Sequence, residues 1–208
     1  LISLGYMGCV RCHRDEHDPL FEQNGLSKLP LVACPPIGSS GPISPAMKQS
    51  YSDAALAFAA KSRPNWDKVS LAYASAGEDD KAFNAANEWL QEDPSSIAAI
   101  LNYGERALTV DKTQKAIAAF RRVTKATVNN PRAWMGLAMA LFESDPAESL
   151  SAALEAYSLD PNQVIAARFV AMGMMATGQV EKAKDHMQKH IAFLPAHGPM
   201  LIDLLDQL

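Results

Sequence analysis

From about Arg63 onward, apolar residues recur at helical spacing, and the pattern itself recurs every 34 residues, as from Trp66 to Ile100 to Trp134. Trp66, Ile100, Trp134 and Ala167 share one position of the repeat, and Tyr73, Ala107, Leu141 and Met174 share another. Ala82, Ala116 and Ala183 share a third. Gly77 and Gly178 fall in matching turns, with Asp111 and Asp145 between them, and Pro94, Pro161 and Pro195 close three of the units. The third unit is one residue short, around Asp145-Pro146. The pattern predicts paired helices joined by tight turns. One such pair cannot bury its apolar stripe alone, so neighbouring pairs must share a continuous core. Small residues such as Ala82 and Ala116 let adjacent helices approach closely.

The first 45 residues follow another rule. They hold Pro19, Pro30, Pro35, Pro36, Pro42 and Pro45, with Gly5, Gly8, Gly25, Gly38 and Gly41. Proline removes backbone donors and glycine raises the entropy cost of order, so an irregular arm is expected over 1–45. A leading helix is expected over 46–62, starting at Pro45 or Ala46 with Ser44 as its cap and running to about Lys61.

The repeat resembles the tetratricopeptide (TPR) family. Unit one supplies Trp66, Val69, Ser70, Tyr73, Gly77, Ala82, Ala86, Trp89 and Pro94. Unit three supplies Trp134, Leu137, Ala138 and Leu141, and unit four Val170, Ala171, Gly178, Ala183 and Pro195. The resemblance implies an all-α helix–turn–helix solenoid of four units over 63–197, closed by a capping helix over 198–208. Three positions depart from the family pattern: Ser70 where Gly is usual, Trp89 where a small residue is usual, and Val128 in place of the closing Pro.

Composition narrows the function classes. The chain is 48% apolar and 20% charged with a net charge of −4, and no stretch concentrates Lys or Arg, so the footprint of a nucleic-acid binder is missing. No apolar run reaches the ~18 residues of a membrane span. Leu1 to Val10 is too short for an intact signal peptide, and the start at Leu1 allows a leader already removed. No arrangement of carboxylates, nucleophiles or phosphate-binding glycines points to an enzyme.

In the TPR family the first helix of each unit lines a concave groove that takes a protein partner. Carried over, this places Asp67, Lys68, Leu71, Leu101, Asn102, Glu105, Met135, Met139, Phe142, Arg168, Phe169, Met172 and Met175 on or near the groove. Met suits adaptable apolar contacts, so an apolar peptide is the expected ligand. The competing reading makes the same Met and Phe residues core. The variant that clamps a carboxylate terminus is not expected. Its positions here read Asp67, Leu71, Asn102, Arg132 and Gly136, and Asp67 would repel the ligand.

One segment lies outside the repeat logic. Cys9-Val10-Arg11-Cys12-His13 resembles the attachment motif of c-type cytochromes, which implies a covalent haem c on Cys9 and Cys12 with His13 as axial ligand. Two alternatives stay open. One is zinc held by Cys9, Cys12, Cys34 and either His13 or His17. The other is a structural or incidental cysteine pair. The second axial ligand of a haem would come from His17, His186, His190, His197, Met7 or Met47, or from a neighbouring subunit. His186 and His190 stand at i, i+4, and read most simply as an exposed polar helix face with His190 half packed. Two functions follow. The first is an electron-transfer TPR subunit of a larger periplasmic or extracellular assembly. The second is a cofactor-free adaptor for envelope, pilus or cytochrome assembly, cytoplasmic if no haem is present.

Overall fold

A computed structural model describes residues 44–60 and 64–198, together with Leu201 and Leu204. The arm, with Cys9, Cys12, His13, His17 and Cys34, lies outside the described residues, as does most of 198–208. The described residues form nine α-helices and no strand. They divide into two units, one ending at Trp89 and one starting at Leu90.

In the first unit, α1 (Pro45–Ala59) starts where Ser44 Oγ accepts the Met47 N–H at 3.3 Å, with Pro45 at its first position. α2 (Trp66–Ala76) is capped by Asn65 and ends on Gly77, whose φ of 76° is left-handed backbone. α3 spans Asp79–Glu92. Ala54 and Ala55 of α1 pack with Val69 and Ala72 of α2 and Ala85 of α3, flanked by Trp66 and Tyr73. Ser70 occupies the position where the repeat family prefers glycine, and it is fully buried. Its hydroxyl donates to the Ala82 carbonyl oxygen at 3.1 Å, which removes the cost of burying it. At the α2–α3 turn, Glu78 accepts from Ser52 of α1 and pairs with Lys81, and these partners hold its carboxyl below the usual range.

The second unit holds α4 (Ile97–Thr109), α5 (Thr113–Ala126), α6 (Pro131–Leu141), α7 (Pro146–Leu159), α8 (Val164–Ala176) and α9 (Val180–Phe193), then a single 3-10 turn (Pro195–His197). Side-chain caps start three of these helices: Ser96, Asn130 and Asp145 accept the backbone N–H of Ala99, Ala133 and Glu148. Each helix packs on the next. In addition α4 touches α6 and α6 touches α8, so the first helices of successive pairs form a layer of their own. Trp134, near the start of α6, donates its indole N–H to the Val128 carbonyl at 2.7 Å, so the loop that lacks the closing proline is tied down by a side chain instead.

Among the described residues, the largest fully buried side chain is Phe120 of α5. It lies against two glycines: a β-carbon on Gly104 of α4 or on Gly136 of α6 would stand less than 3.0 Å from its ring. Unit two therefore fills with one large ring the space that Ala86 and Ala153 occupy at the equivalent positions of units one and three. Gly173 of α8 meets Leu150 of α7 in the same way, with Leu150 Cβ 2.9 Å from where its own β-carbon would be.

Candidate protein-binding face

The layer formed by α4, α6 and α8 carries the groove residues assigned from the second, third and fourth repeats, and they fall into two groups. Leu101, Asn102, Met135 and Phe169 are buried. Glu105, Met139, Phe142, Arg168, Met172 and Met175 are partly exposed. In the first unit, Leu71 and Lys68 are partly exposed and Asp67 is exposed. An amphipathic period marks which side of a helix is apolar. It does not say whether that side meets another helix or a groove, and in a stacked array both sides of α6 meet neighbours.

Phe142, just past the end of α6, and Phe169 of α8 meet edge to face, with ring centroids 5.8 Å apart and planes at 77°. This geometry places the positive ring edge of one on the negative face of the other. The buried Phe169 thereby anchors the partly exposed Phe142, with Met139 one helical turn before it on α6.

At the other end of α6, Arg132 makes a two-pronged contact with Glu105 of α4. Its Nε reaches Oε1 at 2.5 Å and its terminal nitrogen reaches Oε2 at 2.7 Å. Arg106 adds a longer approach to the same carboxylate, at 3.9 Å. The one arginine that fits a carboxylate clamp is thus already neutralised. Asn102, the other matching residue, is buried.

A second cluster lies where α7, α9 and the 3-10 turn meet. Tyr157 Oη is 3.1 Å from His190 Nδ1, and His190 Nε2 is 2.9 Å from His197 Nδ1. His186 Nε2 bonds the Ala167 carbonyl of α8 at 3.2 Å, and its ring meets Tyr157 edge to face at 5.0 Å. His190 is only 1% exposed. The expected exposed polar face with His190 half packed is therefore corrected: His186 is partly buried and His190 fully so. Burial, with His197 and His186 nearby, pushes the His190 imidazole below its ordinary range, and burial does the same to His186. Burial raises the Tyr157 phenol.

The sequence offers His186 and His190 as a pair on one helix face, and His197 apart from them, as second haem ligands. The sequence reading missed Tyr157, whose one signal is its place 33 residues before His190, close to one repeat earlier. In this arrangement both nitrogens of His190 are engaged, so it offers no lone pair to a metal without breaking the chain of bonds. Among the described residues no group of three or more His, Cys, Asp or Glu side chains is arranged to hold a metal ion, and no helix is long and apolar enough to cross a membrane.

No protein-family model matches the chain, and no curated protein does. Solved structures do. MamA 41-end from Desulfovibrio magneticus RS-1 superposes with a TM-score of 0.64 at 18% identity, over 71% of this chain and 87% of that one. MamA MSR-1 gives a TM-score of 0.58 at 20% identity, over 70% and 88%. TTC0263, a thermophilic TPR protein in Thermus thermophilus, gives 0.56 at 14% identity, over 67% and 81%. At these identities the likeness is one of fold: the described helix pairs are TPR-like repeats.

Proposed function

We propose that this chain is a TPR-like adaptor that binds a segment of another protein along the layer of α4, α6 and α8, and that it acts by binding rather than by catalysis. The observation that carries this reading is the anchored aromatic pair, Phe142 on Phe169, with the partly exposed Met139 and Met172 on the same two helices. A rigid ring fixed by a buried partner, beside flexible thioethers, suits an apolar segment of variable sequence. The neutralised Arg132 points away from acidic termini as ligands.

Peptide display against the full chain, followed by titration calorimetry, tests this. Replacing Met139, Phe142 and Met172 by Gln should weaken a selected peptide at least about tenfold, since each removes a partly desolvated anchor. Unchanged affinity would overturn the assignment of the face. Met135 and Phe169 are unsuitable targets because both are buried and their loss would act through folding.

The cofactor-free form of the adaptor is favoured over the haem form by the engagement of His190 with both Tyr157 and His197. Intact mass and a pyridine haemochrome spectrum of natively produced protein separate the two. A covalent haem on Cys9 and Cys12 would restore the electron-transfer reading, and the bare polypeptide mass supports the adaptor.

A further inference from the structure

Three methionines stand on the face read as the binding surface, and the repeat sets them there in register. Met139 of α6 and Met172 of α8 occupy the same position of successive repeats, and Met175 occupies the position of Phe142. Arg168, Met172 and Met175 stand at i, i+4 and i+7 of α8, which puts them in one row. Met139, Phe142, Met172 and Met175 are partly exposed, whereas Met135 and Met187 are buried. Met172 and Met175 also pack against the cluster that holds Ala171, Ala183 and Met187, so each has one side in the core. Met174 is partly exposed too, but it falls off that row, at the repeat position of the buried Leu141.

We propose that Met139, Met172 and Met175 are reversible oxidation sites, at which a peroxide turns the apolar α6–α8 face polar and releases the bound segment. The inference rests on the reading of that face as the peptide site. The reaction is a two-electron transfer. The thioether sulfur attacks one peroxide oxygen, and the O–O bond breaks as the S–O bond forms. The departing hydroxide takes the proton of the new S–OH group, which leaves a sulfoxide and water. Sulfur is oxidised and the peroxide is reduced. The return step consumes two thiols of a dithiol reductant and gives back the thioether, with a disulfide and water.

Burial decides where the oxidant acts. A partly exposed thioether meets it before a buried one does, so the three groove methionines react ahead of Met135 and Met187. The product is a strong acceptor that brings no donor of its own. On the bare face, water satisfies the sulfoxide oxygen. Under an apolar segment seated on Phe142 it loses that water, and burying an unpaired polar group opposes binding. Met139 and Met172 lie one helical turn from Phe142 and Phe169 respectively, so the change falls beside the aromatic anchor on both helices. Phe142 and Phe169 carry no sulfur and keep their contact, and the buried methionines keep the core. Oxidation is therefore read as lost affinity rather than as unfolding.

The test uses the full chain and a methionine-free peptide selected by display on the unoxidised protein. The protein is treated with dilute hydrogen peroxide and then with dithiothreitol, which returns any oxidised pair among Cys9, Cys12 and Cys34 to thiols but leaves sulfoxides in place. Fragment mass spectrometry should find an added oxygen on Met139, Met172 and Met175 before Met135 and Met187. Affinity should fall at least about tenfold with helix content unchanged by circular dichroism, and should return after treatment with sulfoxide reductases for both epimers. A variant with Met139→Leu, Met172→Leu and Met175→Leu should bind equally before and after peroxide, whatever its affinity is. Oxidation falling first on Met135 or Met187 would overturn the switch. So would unchanged affinity of protein carrying the three sulfoxides, a response that persists in the Leu variant, or a loss of affinity that tracks a loss of helix content. Binding indifferent to Met139→Gln, Phe142→Gln and Met172→Gln would overturn the face itself, and the switch with it. Binding that needs those side chains yet ignores their oxidation would overturn the switch alone. Should the Leu variant fail to fold, the oxidation map and the reductase rescue of the wild type decide.

Discussion

The Ser149 hydroxyl donates to the Ala138 carbonyl oxygen at 2.7 Å, and both residues are buried between α7 and α6. In the repeat numbering this is the pair formed in unit one by Ser70 and Ala82, with the serine on the opposite partner. The geometry of the helix pair asks for two small residues there and admits one hydroxyl from either side. Replacing Ser149 by Ala should cost about 1 kcal/mol, the net worth of one buried hydrogen bond. Replacing it by Val should cost more, because branching is added where α6 and α7 approach. Urea unfolding of both variants checks the order.

Phe120 and Gly136 are fitted to each other, so their substitutions should not add. Gly136→Ala drives a methyl into the ring and should cost about 1–3 kcal/mol. Phe120→Leu leaves a void and should cost about 1–3 kcal/mol. Together they should cost less than the sum, and a double-mutant cycle by denaturant unfolding reads the coupling.

Gly77 and Gly178 have nothing within 4 Å of an added β-carbon, yet both sit at left-handed φ, 76° and 77°. Ala at either should cost about 1 kcal/mol through backbone strain alone. At the matching position of unit two, Asp111 adopts φ 56°, so Asp111→Gly should be neutral or raise stability by up to about 1 kcal/mol. A melting series of the three variants separates strain from crowding.

Glu105→Gln should release Arg132 from its carboxylate partner on the binding face. Because Arg132 is 53% exposed, its pairing is worth at most about 1 kcal/mol, and the fold should survive the change. Binding of peptides with a free C-terminal carboxylate should rise relative to wild type and weaken with salt, measurable by fluorescence anisotropy.

Much of the fold was legible because repeat phase carries it. The turn glycines, Ser44 as a cap and the small residues at Ala82 and Ala116 are local signals, each with one physical meaning. The exposure of α4, α6 and α8 was legible only in part. Met135 and Met139 stand four residues apart on one helix, yet the first is buried and the second partly exposed, a difference set by neighbouring helices. The histidine cluster was illegible as a cluster. Its partners come from three elements, and the burial of His190 depends on the 3-10 turn that follows its helix.

The most direct test of the central claim is where a selected peptide binder protects the full chain from hydrogen exchange. The account predicts new protection concentrated in α6 and α8, around Met139, Phe142 and Met172, and its loss in Phe142→Gln. Protection confined to α5, α7 and α9, or binding indifferent to Phe142→Gln, would contradict it.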